Sequence, residues 1–291
     1  MKRRLITSIF LAVLYVGLIV PSIAFEPIFY DVLVLIFMFT ASYEMMHVIE
    51  SKYEPAIKPC VYAQVVVGYI AFRVANWLGH GNWGISAVFG SLLLMIIVSF
   101  IVVMFSKKTA KYNMKNVLST IFILIYPLGL LSYLLAVNYV GEAYREAGIL
   151  FVFGATSLID SMALFVGSAF KGKKLAPQIS PNKTISGAIG GLLGGILSGI
   201  IIYLLMSSGF LGMKLIMATP LENLILYTSL GLGVSVACQS GDLIASYIKR
   251  FCSVKDYSDF LPGHGGFMDR IDGVLVAGIF VFVFFAIFKL F

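Results

Sequence analysis

The residues best suited to catalysis lie near the C-terminal end of the chain, where charged side chains interrupt an apolar background. An acid, a hydroxyl and two bases follow one another there at helical spacing: Asp242, Ser246, Lys249 and Arg250. Residues three or four positions apart share one face of a helix, so this spacing predicts a polar stripe. An acid in an apolar helix is expected to face a polar cavity or a metal ion rather than lipid. The alternative interpretation is a single structural ion pair between the Asp and a Lys.

The polar loop 251–272 that follows is dense in glycine, acids and bases. Its glycines permit tight turns and a close approach of the backbone to a ligand. Carboxylates such as Asp242 and Asp269 suit Mg²⁺, which commonly bridges to phosphate oxygens. Bases that suit phosphate groups lie beside them, and these are Lys249, Arg250, Lys255 and Arg270. Acids for a metal beside bases for phosphate predict metal-assisted phosphoryl or nucleotidyl transfer.

A second polar loop, 171–184, leads into a glycine-rich apolar segment. Ser180 is the expected N-cap of the helix that follows, with a proline at the first helical position. Lys183 and Thr184 then fall in the first turn, where free N–H groups, the helix dipole, a lysine and hydroxyls form an anion site. The alternative is an ordinary cap beside lysines that mark the cytoplasmic face. We predict that Lys183 faces the same cavity as Asp242.

Several isolated polar residues have more than one interpretation. Asp160 lies inside an apolar segment and is expected either near the site or in a structural hydrogen bond. His264, between glycines, is expected to bind phosphate, to act as an acid or to hold the loop. Glu44 is either an interfacial residue or one that reaches the site. Arg73 lies within an apolar stretch and is expected to form a structural ion pair.

The elements that position these residues are predicted to be transmembrane helices. Of the 291 residues, 60% are hydrophobic and only 12% are charged, and the mean hydropathy is +0.98. A soluble domain carries about 25% charged residues, so long apolar runs must face lipid. We therefore predict an all-α, polytopic transmembrane helical bundle with about nine spans, at 5–24, 28–47, 61–79, 84–105, 117–139, 148–170, 185–208, 222–250 and 273–291.

The distribution of basic residues predicts the orientation. With the N-terminus in the cytoplasm, 17 of the 21 Lys and Arg residues fall on the cytoplasmic side, which is the positive-inside pattern. Residues 1–147 are then a scaffold of about five spans. Residues 148–291 form a catalytic half of about four spans, with cytoplasmic loops 171–184 and 251–272. The absence of a long basic run predicts no nucleic-acid partner.

The span at 185–208 carries glycines at four-residue spacing, at 187, 191, 195 and 199. One face of this helix is nearly bare backbone, which predicts close packing against another helix. That helix belongs either to the same chain or to a second copy in a homodimer. The three cysteines fit no zinc-binding spacing.

These motifs resemble the signature of the phosphatidate cytidylyltransferase (CDP-diacylglycerol synthase) family. The resemblance runs without a gap from Ser246 to Asp272, and Gly241-Asp242-Leu243, residues 180–184 and Asp160-Ser161 are similar to further family elements. It covers about 160–272, whereas residues 1–150 resemble the family only in being hydrophobic.

This chain also departs from the family pattern at two places. Ala245 stands where many members have Glu, which rules out a metal role at that position. Leu164-Phe165 stands where many members have an aromatic pair, so nucleotide or lipid contacts near 164 are not carried over.

The resemblance implies that CTP and phosphatidate react to give CDP-diacylglycerol and pyrophosphate in the cell (inner) membrane, at its cytoplasmic face. It implies Mg²⁺ at Asp242 and Asp269, with Asp272 either as an additional ligand or as a residue that supports the ligands, and it implies that K⁺ accompanies Mg²⁺. Catalytic roles are expected for Asp242, Lys249, Arg250, Asp269 and Arg270. Substrate contacts are expected for Asp160, Ser180, Lys183, Thr184, Ser246, Lys255 and His264.

Two alternatives belong to other classes of protein. One is another lipid-phosphate nucleotidyltransferase or a polyprenol kinase on a similar scaffold. The other is an ion-coupled transporter, which also places acids in its spans. Transporters often contain internal repeats, and the sequence shows none.

Overall fold

The computed structural model describes residues 2–79, 83–106, 112–261, 263 and 265–289, and of residues 2–10, 12 and 142 only the backbone. The helices within these ranges are α1 (Lys2–Ala24), α2 (Ile28–Glu50), α3 (Lys58–Trp77), α4 (Trp83–Ser106), α5 (Met114–Ile123), α6 (Leu130–Val137), α7 (Glu142–Ile149), α8 (Thr156–Phe170), α9 (Ile185–Ser207), α10 (Pro220–Phe251) and α11 (Met268–Phe288). A short π-helical segment, Leu150–Ala155, continues α7 into α8, whereas α5 and α6 are joined through a kink at Tyr126, within Leu124–Gly129. Each predicted span therefore coincides with a helical segment.

The helical, polytopic fold class is confirmed. Seven helical segments among the described residues are long and apolar enough to cross a membrane: α2, α4, Met114–Val137, Ala143–Phe170, α9, α10 and α11. The helix α1 contributes the shorter apolar stretch Val13–Ala24, and α3 carries Arg73 within its length. Nine crossings and a cytoplasmic N-terminus therefore stay predictions.

Two compact units interleave along the chain. Unit 1 consists of Met1–Tyr15, Asp31–Ala136 and Phe251–Arg270. Unit 2 consists of Val16–Tyr30, Val137–Arg250 and Ile271–Phe291. The functional division at residue 147 into scaffold and catalytic halves stays a prediction. The polar loop 251–272 contributes to both units, because Asp269 belongs to unit 1 and Asp272 to unit 2.

Unit 1 buries an ion pair between α2 and α3. Arg73 Nη1 lies 3.0 Å from Asp31 Oδ2, and the Tyr69 hydroxyl donates to the same oxygen at 3.2 Å. The Asp31 side chain is fully buried. A carboxylate buried in an apolar bundle is costly unless it is paired and hydrogen-bonded. The expected structural ion pair of Arg73 is thereby confirmed.

Unit 2 depends on close helix packing at glycines of α9. A Cβ atom added at Gly194 would lie 3.2 Å from the Cα of Ile159 in α8. On the neighbouring face, Gly195 packs against the backbone of Gly231 in α10. The predicted packing surface is confirmed, and its partners within the described residues are α8 and α10 of the same chain. A homodimer stays a prediction.

Replacing Gly231 by Ala is expected to destabilise the protein by roughly 1–3 kcal/mol. The added methyl group would run into the carbonyl oxygen of Gly195, which belongs to a rigid helix backbone. Gly90→Ala is the matched control, because a Cβ atom at Gly90 meets nothing within 4 Å. Thermal unfolding of both variants in detergent tests this expectation. Equal melting temperatures for the two variants would contradict the packing argument.

Candidate active site

A cavity of about 680 Å³ lies in unit 2, beside the N-terminal end of α9. Its volume is within the usual range for small-molecule sites. Its lining combines charged and polar groups with apolar side chains. Asp160, Lys171, Lys174, Asn182, Lys183, Thr184, Gln239 and Asp242 supply the polar part, and Ala163, Leu164, Leu175 and Ala188 are among the apolar residues.

The loop before α9 forms a β-hairpin, which corrects the expected cap. The strands β1 (Lys174–Ala176) and β2 (Ser180–Thr184) pair antiparallel, so Ser180 lies in a strand and is not an N-cap. The helix begins at Ile185, and the hydroxyl of Thr184 accepts a hydrogen bond from the amide of Gly187 at 3.0 Å. The strand pairing uses the backbone of the segment that the sequence pattern assigned to a first helical turn. Lys183 therefore precedes the helix instead of lying within it.

Lys183 meets Asp242 across this cavity. The Lys183 Nζ atom lies 3.1 Å from Asp242 Oδ2, and both side chains line the cavity. The prediction that these two residues face one cavity is confirmed. The pair joins β2 to α10, and both side chains remain partly accessible, at 30% and 18%. An anionic ligand or a cation can therefore reach each partner from the cavity.

Further acids surround Asp242. Asp160, Cys238 and Asp242 offer ligand atoms that all lie within 4.8 Å of one another, and the Cys238 thiol donates to Asp160 Oδ1 at 3.7 Å. Asp272 hydrogen-bonds with the Asp242 side chain. A Cβ atom at Gly273 would lie 2.9 Å from Asp242 Oδ1, so this glycine permits the close approach of α11 to α10. Asp160 and Asp272 thus lie next to Asp242, the acid that pairs with Lys183.

This donor set fits a hard divalent cation. Asp160 and Asp242 offer carboxylate oxygens close enough to bind one ion, and Asp272 beside Asp242 offers a third carboxyl group, which suits a divalent cation that takes oxygen ligands. Mg²⁺ prefers oxygen ligands, whereas the neutral thiol of Cys238 is a soft donor. Within unit 2, the residues that would hold Mg²⁺ are Asp160, Asp242 and Asp272. The K⁺ implied by the resemblance stays a prediction.

The remaining polar residues of α10 lie between the acids and the helix end. Ser246 and Lys249 are half-buried, and Arg250 is exposed. Arg250 Nε donates to the carbonyl of Ile179, in the hairpin, at 3.4 Å. Lys249 interacts electrostatically with Asp272. The expected roles of these residues in catalysis and binding stay predictions.

In unit 1, Asp269 organises the glycine-rich loop. Its Oδ2 atom accepts hydrogen bonds from the amides of Tyr257 and Gly266, each at 2.9 Å. Asp269 lies in the first turn of α11, and Arg270 beside it is exposed, as is Lys255. Joint metal binding by Asp269 and Asp242 stays a prediction, because the two residues belong to different compact units. His264 lies outside the described residues.

Sequence reasoning left the role of Glu44 open and did not predict its partners. Its side chain is only 1% exposed, so it is not an interfacial residue. It accepts hydrogen bonds from the amides of Phe267 and Met268, both at 2.7 Å, and from the Ser258 hydroxyl at 2.5 Å. The available signal was a carboxylate in an apolar stretch, which must find donors because an unpaired buried charge is costly.

The fold and the cavity together define a polytopic membrane protein with an acid cluster and lysines in an amphiphilic cavity. The chain belongs to the cytidylyltransferase family, because the sequence model of that family matches residues 2–288. The resemblance found in the motifs is thereby confirmed.

Named relatives align with about half of this chain. It is 39% identical over 148 residues to a phosphatidate cytidylyltransferase of Brucella abortus (strain 9-941), covering 50% of each protein. It is 34% identical over 167 residues to a phosphatidate cytidylyltransferase of Bacillus subtilis (strain 168), covering 53% of this chain and 58% of the relative. The chain thus spans about half the length of the curated relatives that it matches.

Proposed function

We propose that the protein is a phosphatidate cytidylyltransferase, which converts CTP and phosphatidate to CDP-diacylglycerol and pyrophosphate. The observation that carries the proposal is the cavity in which Asp160, Asp242 and Lys183 meet. Apolar residues such as Leu164 and Leu175 line the same cavity. A lining that combines charge with apolar surface suits a phosphate group attached to acyl chains. The relatives' names support the same activity.

The reaction is an in-line displacement at the α-phosphorus of CTP. An oxygen of the lipid phosphate forms the new bond to phosphorus, and the bond to the bridging oxygen of pyrophosphate breaks. No catalytic base is needed, because a phosphate monoester is already ionised near neutral pH. The two reacting groups repel each other as anions, so catalysis consists mainly of positioning and charge neutralisation.

Lysines of the cavity are suited to this neutralisation. Lys171, Lys174 and Lys183 line it and would bind phosphate oxygens of the substrates. Asp160, Asp242 and Asp272 would hold Mg²⁺, which would neutralise charge on the transferred phosphoryl group. In unit 1, Lys255 and Arg270 are exposed within loop 251–272, and we assign to them the binding of the CTP triphosphate.

A substrate panel tests the proposal. The purified full chain, in mixed micelles with Mg²⁺, would receive each of the four ribonucleoside triphosphates, labelled in parallel reactions at the α- or the γ-phosphorus, with phosphatidate, polyprenyl phosphate or polyprenol. We expect a labelled lipid from CTP and phosphatidate and far less from the other pairs. Transfer to polyprenol alone would instead indicate a kinase. A lack of product with every pair, in folded protein, would refute the proposal.

The protein is an integral membrane protein, and we propose that its active site lies at the cytoplasmic face of the cell membrane. The basic residues of loops 171–184 and 251–272 support this orientation through the positive-inside rule.

Cysteine labelling in whole cells tests the orientation. Tyr144→Cys is expected to react with a membrane-impermeant thiol reagent added outside, because the proposed topology puts residues 140–147 on that side. Lys115→Cys is the matched control and is expected to react only after the cells are permeabilised. Background is low, because the native cysteines Cys60, Cys238 and Cys252 are buried. External labelling at 115 with protection at 144 would invert the orientation.

A further inference from the structure

The glycine-rich loop of unit 1 is fixed at its exit by a residue of α2. The Glu44 carboxylate accepts hydrogen bonds from the amides of Phe267 and Met268 and from the hydroxyl of Ser258, all at 2.7 Å or less. Met268 is the first residue of α11. One carboxylate from the N-terminal half of the chain therefore binds the loop and the start of the helix that follows it.

The helix end explains why a buried carboxylate is stable at this position. Amides in the first turn of a helix have no partner within that helix, and the helix dipole favours negative charge beside them. Glu44 takes the amides of residues 267 and 268, and Asp269 takes the amide of Gly266 at 2.9 Å. Two carboxylates thus accept hydrogen bonds from three successive backbone N–H groups. These bonds fix the backbone at the start of α11, and with it the direction in which the side chains of Asp269 and Arg270 point.

Gly266 is fitted to the same carboxylate. A Cβ atom at this position would lie 2.8 Å from Glu44 Oε2 and 2.9 Å from the amide nitrogen of Ser258. Only a residue without a side chain leaves room for this approach. The glycine of the loop and the acid of α2 therefore depend on each other.

The entrance of the loop is held by the turn that follows α2. Lys52 Nζ donates to the carbonyl of Phe251 at 2.6 Å and to the Ser253 hydroxyl at 3.2 Å. The rings of Tyr53 and Phe251 stack with centroids 5.4 Å apart. Residues within one short stretch of chain, from Glu44 to Tyr53, thus hold both ends of the loop.

We propose that Glu44 is a positioning residue for nucleotidyl transfer, which sets the orientation of Asp269 and Arg270 without touching substrate. This inference rests on the proposed function. It assigns part of the catalytic apparatus to the N-terminal half, which resembles the family only in being hydrophobic.

Glu44→Gln tests the proposal, because glutamine keeps the size of the side chain but places an NH₂ group against one of the two backbone N–H groups. Two donors then face each other, and that hydrogen bond is lost. We expect kcat to fall about 10–100-fold, as for other small displacements of catalytic groups. We expect KM for phosphatidate to stay within about threefold, because the proposed function assigns the acyl chains to the cavity of unit 2 and not to Glu44. Ser258→Ala removes the hydroxyl contact with Glu44, together with the hydrogen bond that this hydroxyl accepts from the Phe260 amide at 3.1 Å, and is expected to cause a smaller loss than Glu44→Gln. Unchanged kcat in folded Glu44→Gln would overturn the proposal.

Asp31→Asn is the matched control, because Asp31 is also a buried acid of α2 but contacts Arg73 and Tyr69 instead of the loop. It is expected to lower the melting temperature and to leave kcat of the folded fraction unchanged. Equal losses of kcat in both variants would mean that Glu44 acts only through the stability of α2.

Amide hydrogen exchange separates this inference from the proposed function. Exchange in residues 256–268 is expected to accelerate in Glu44→Gln and to stay at the wild-type rate in Asp31→Asn. An inactive wild-type protein would refute the proposed function, and exchange would still decide whether Glu44 holds the loop. If Glu44→Gln does not fold, Gly266→Ala displaces the same carboxylate and is expected to give the same acceleration. Wild-type exchange in the folded variant would overturn the proposal.

Discussion

Asp242→Asn is expected to lower nucleotidyl transfer roughly 10³-fold while the protein still folds and inserts into the membrane. Asp242 is central to the site, since it contacts Lys183 at 3.1 Å and lies within 4.8 Å of the ligand atoms of Asp160 and Cys238. The substitution keeps the shape of the side chain but removes its negative charge. It is therefore expected to weaken both the proposed metal site and the ion pair with Lys183.

The measurement is initial rate against Mg²⁺ concentration for the wild-type protein and the variant. Asp259→Asn is the matched control, because this acid is exposed in the loop of unit 1 and lies outside the carboxylate cluster. We expect the control to follow the wild-type Mg²⁺ curve, and Asp242→Asn to stay nearly inactive even at high Mg²⁺. Near-normal activity of Asp242→Asn at ordinary Mg²⁺ would contradict the metal assignment.

Asp269→Asn is expected to lower turnover by about 10²–10³-fold, which distinguishes a chemical role from a structural one. An asparagine can still accept the hydrogen bonds of Tyr257 and Gly266 with its carbonyl oxygen. The loop is therefore expected to keep its conformation while the second oxygen is replaced by an NH₂ group, which cannot bind a cation.

Two readouts separate the possibilities for Asp269. Amide exchange in the loop is expected to match the wild-type protein, whereas the rate is expected to fall. A small loss of rate with unchanged exchange would limit Asp269 to loop structure and leave metal binding to Asp160, Asp242 and Asp272. A large loss of rate together with fast exchange would show that the amide does not preserve the loop.

The apolar pattern of the sequence predicted the helices well, because each crossing requires a long apolar run and such runs are rare outside membrane helices. The glycines at 187, 191, 195 and 199 likewise predicted close packing, since bare backbone in a helix is useful chiefly where another helix approaches. The pattern could not identify the partners of this surface. The choice between α8, α10 and a second copy depends on the tertiary arrangement.

Local rules were less reliable where tertiary pairing competes with them. Ser180 followed by proline is typical of a helix start, but strand pairing with Lys174–Ala176 shifts the cap to Thr184. The partners of Glu44 were not predicted for a related reason. Its donors at Ser258, Phe267 and Met268 lie more than 200 residues away in sequence, and no spacing rule connects positions so far apart.

The most direct test of the proposed reaction follows the two ends of the CTP triphosphate. Purified protein with phosphatidate and Mg²⁺ would receive CTP labelled at either the α- or the γ-phosphorus. Attack at the α-phosphorus predicts that the α label enters the lipid product and that the γ label appears in pyrophosphate, in equal amounts. Recovery of the γ label in lipid, without the α label, would contradict the proposed reaction and would indicate a lipid kinase.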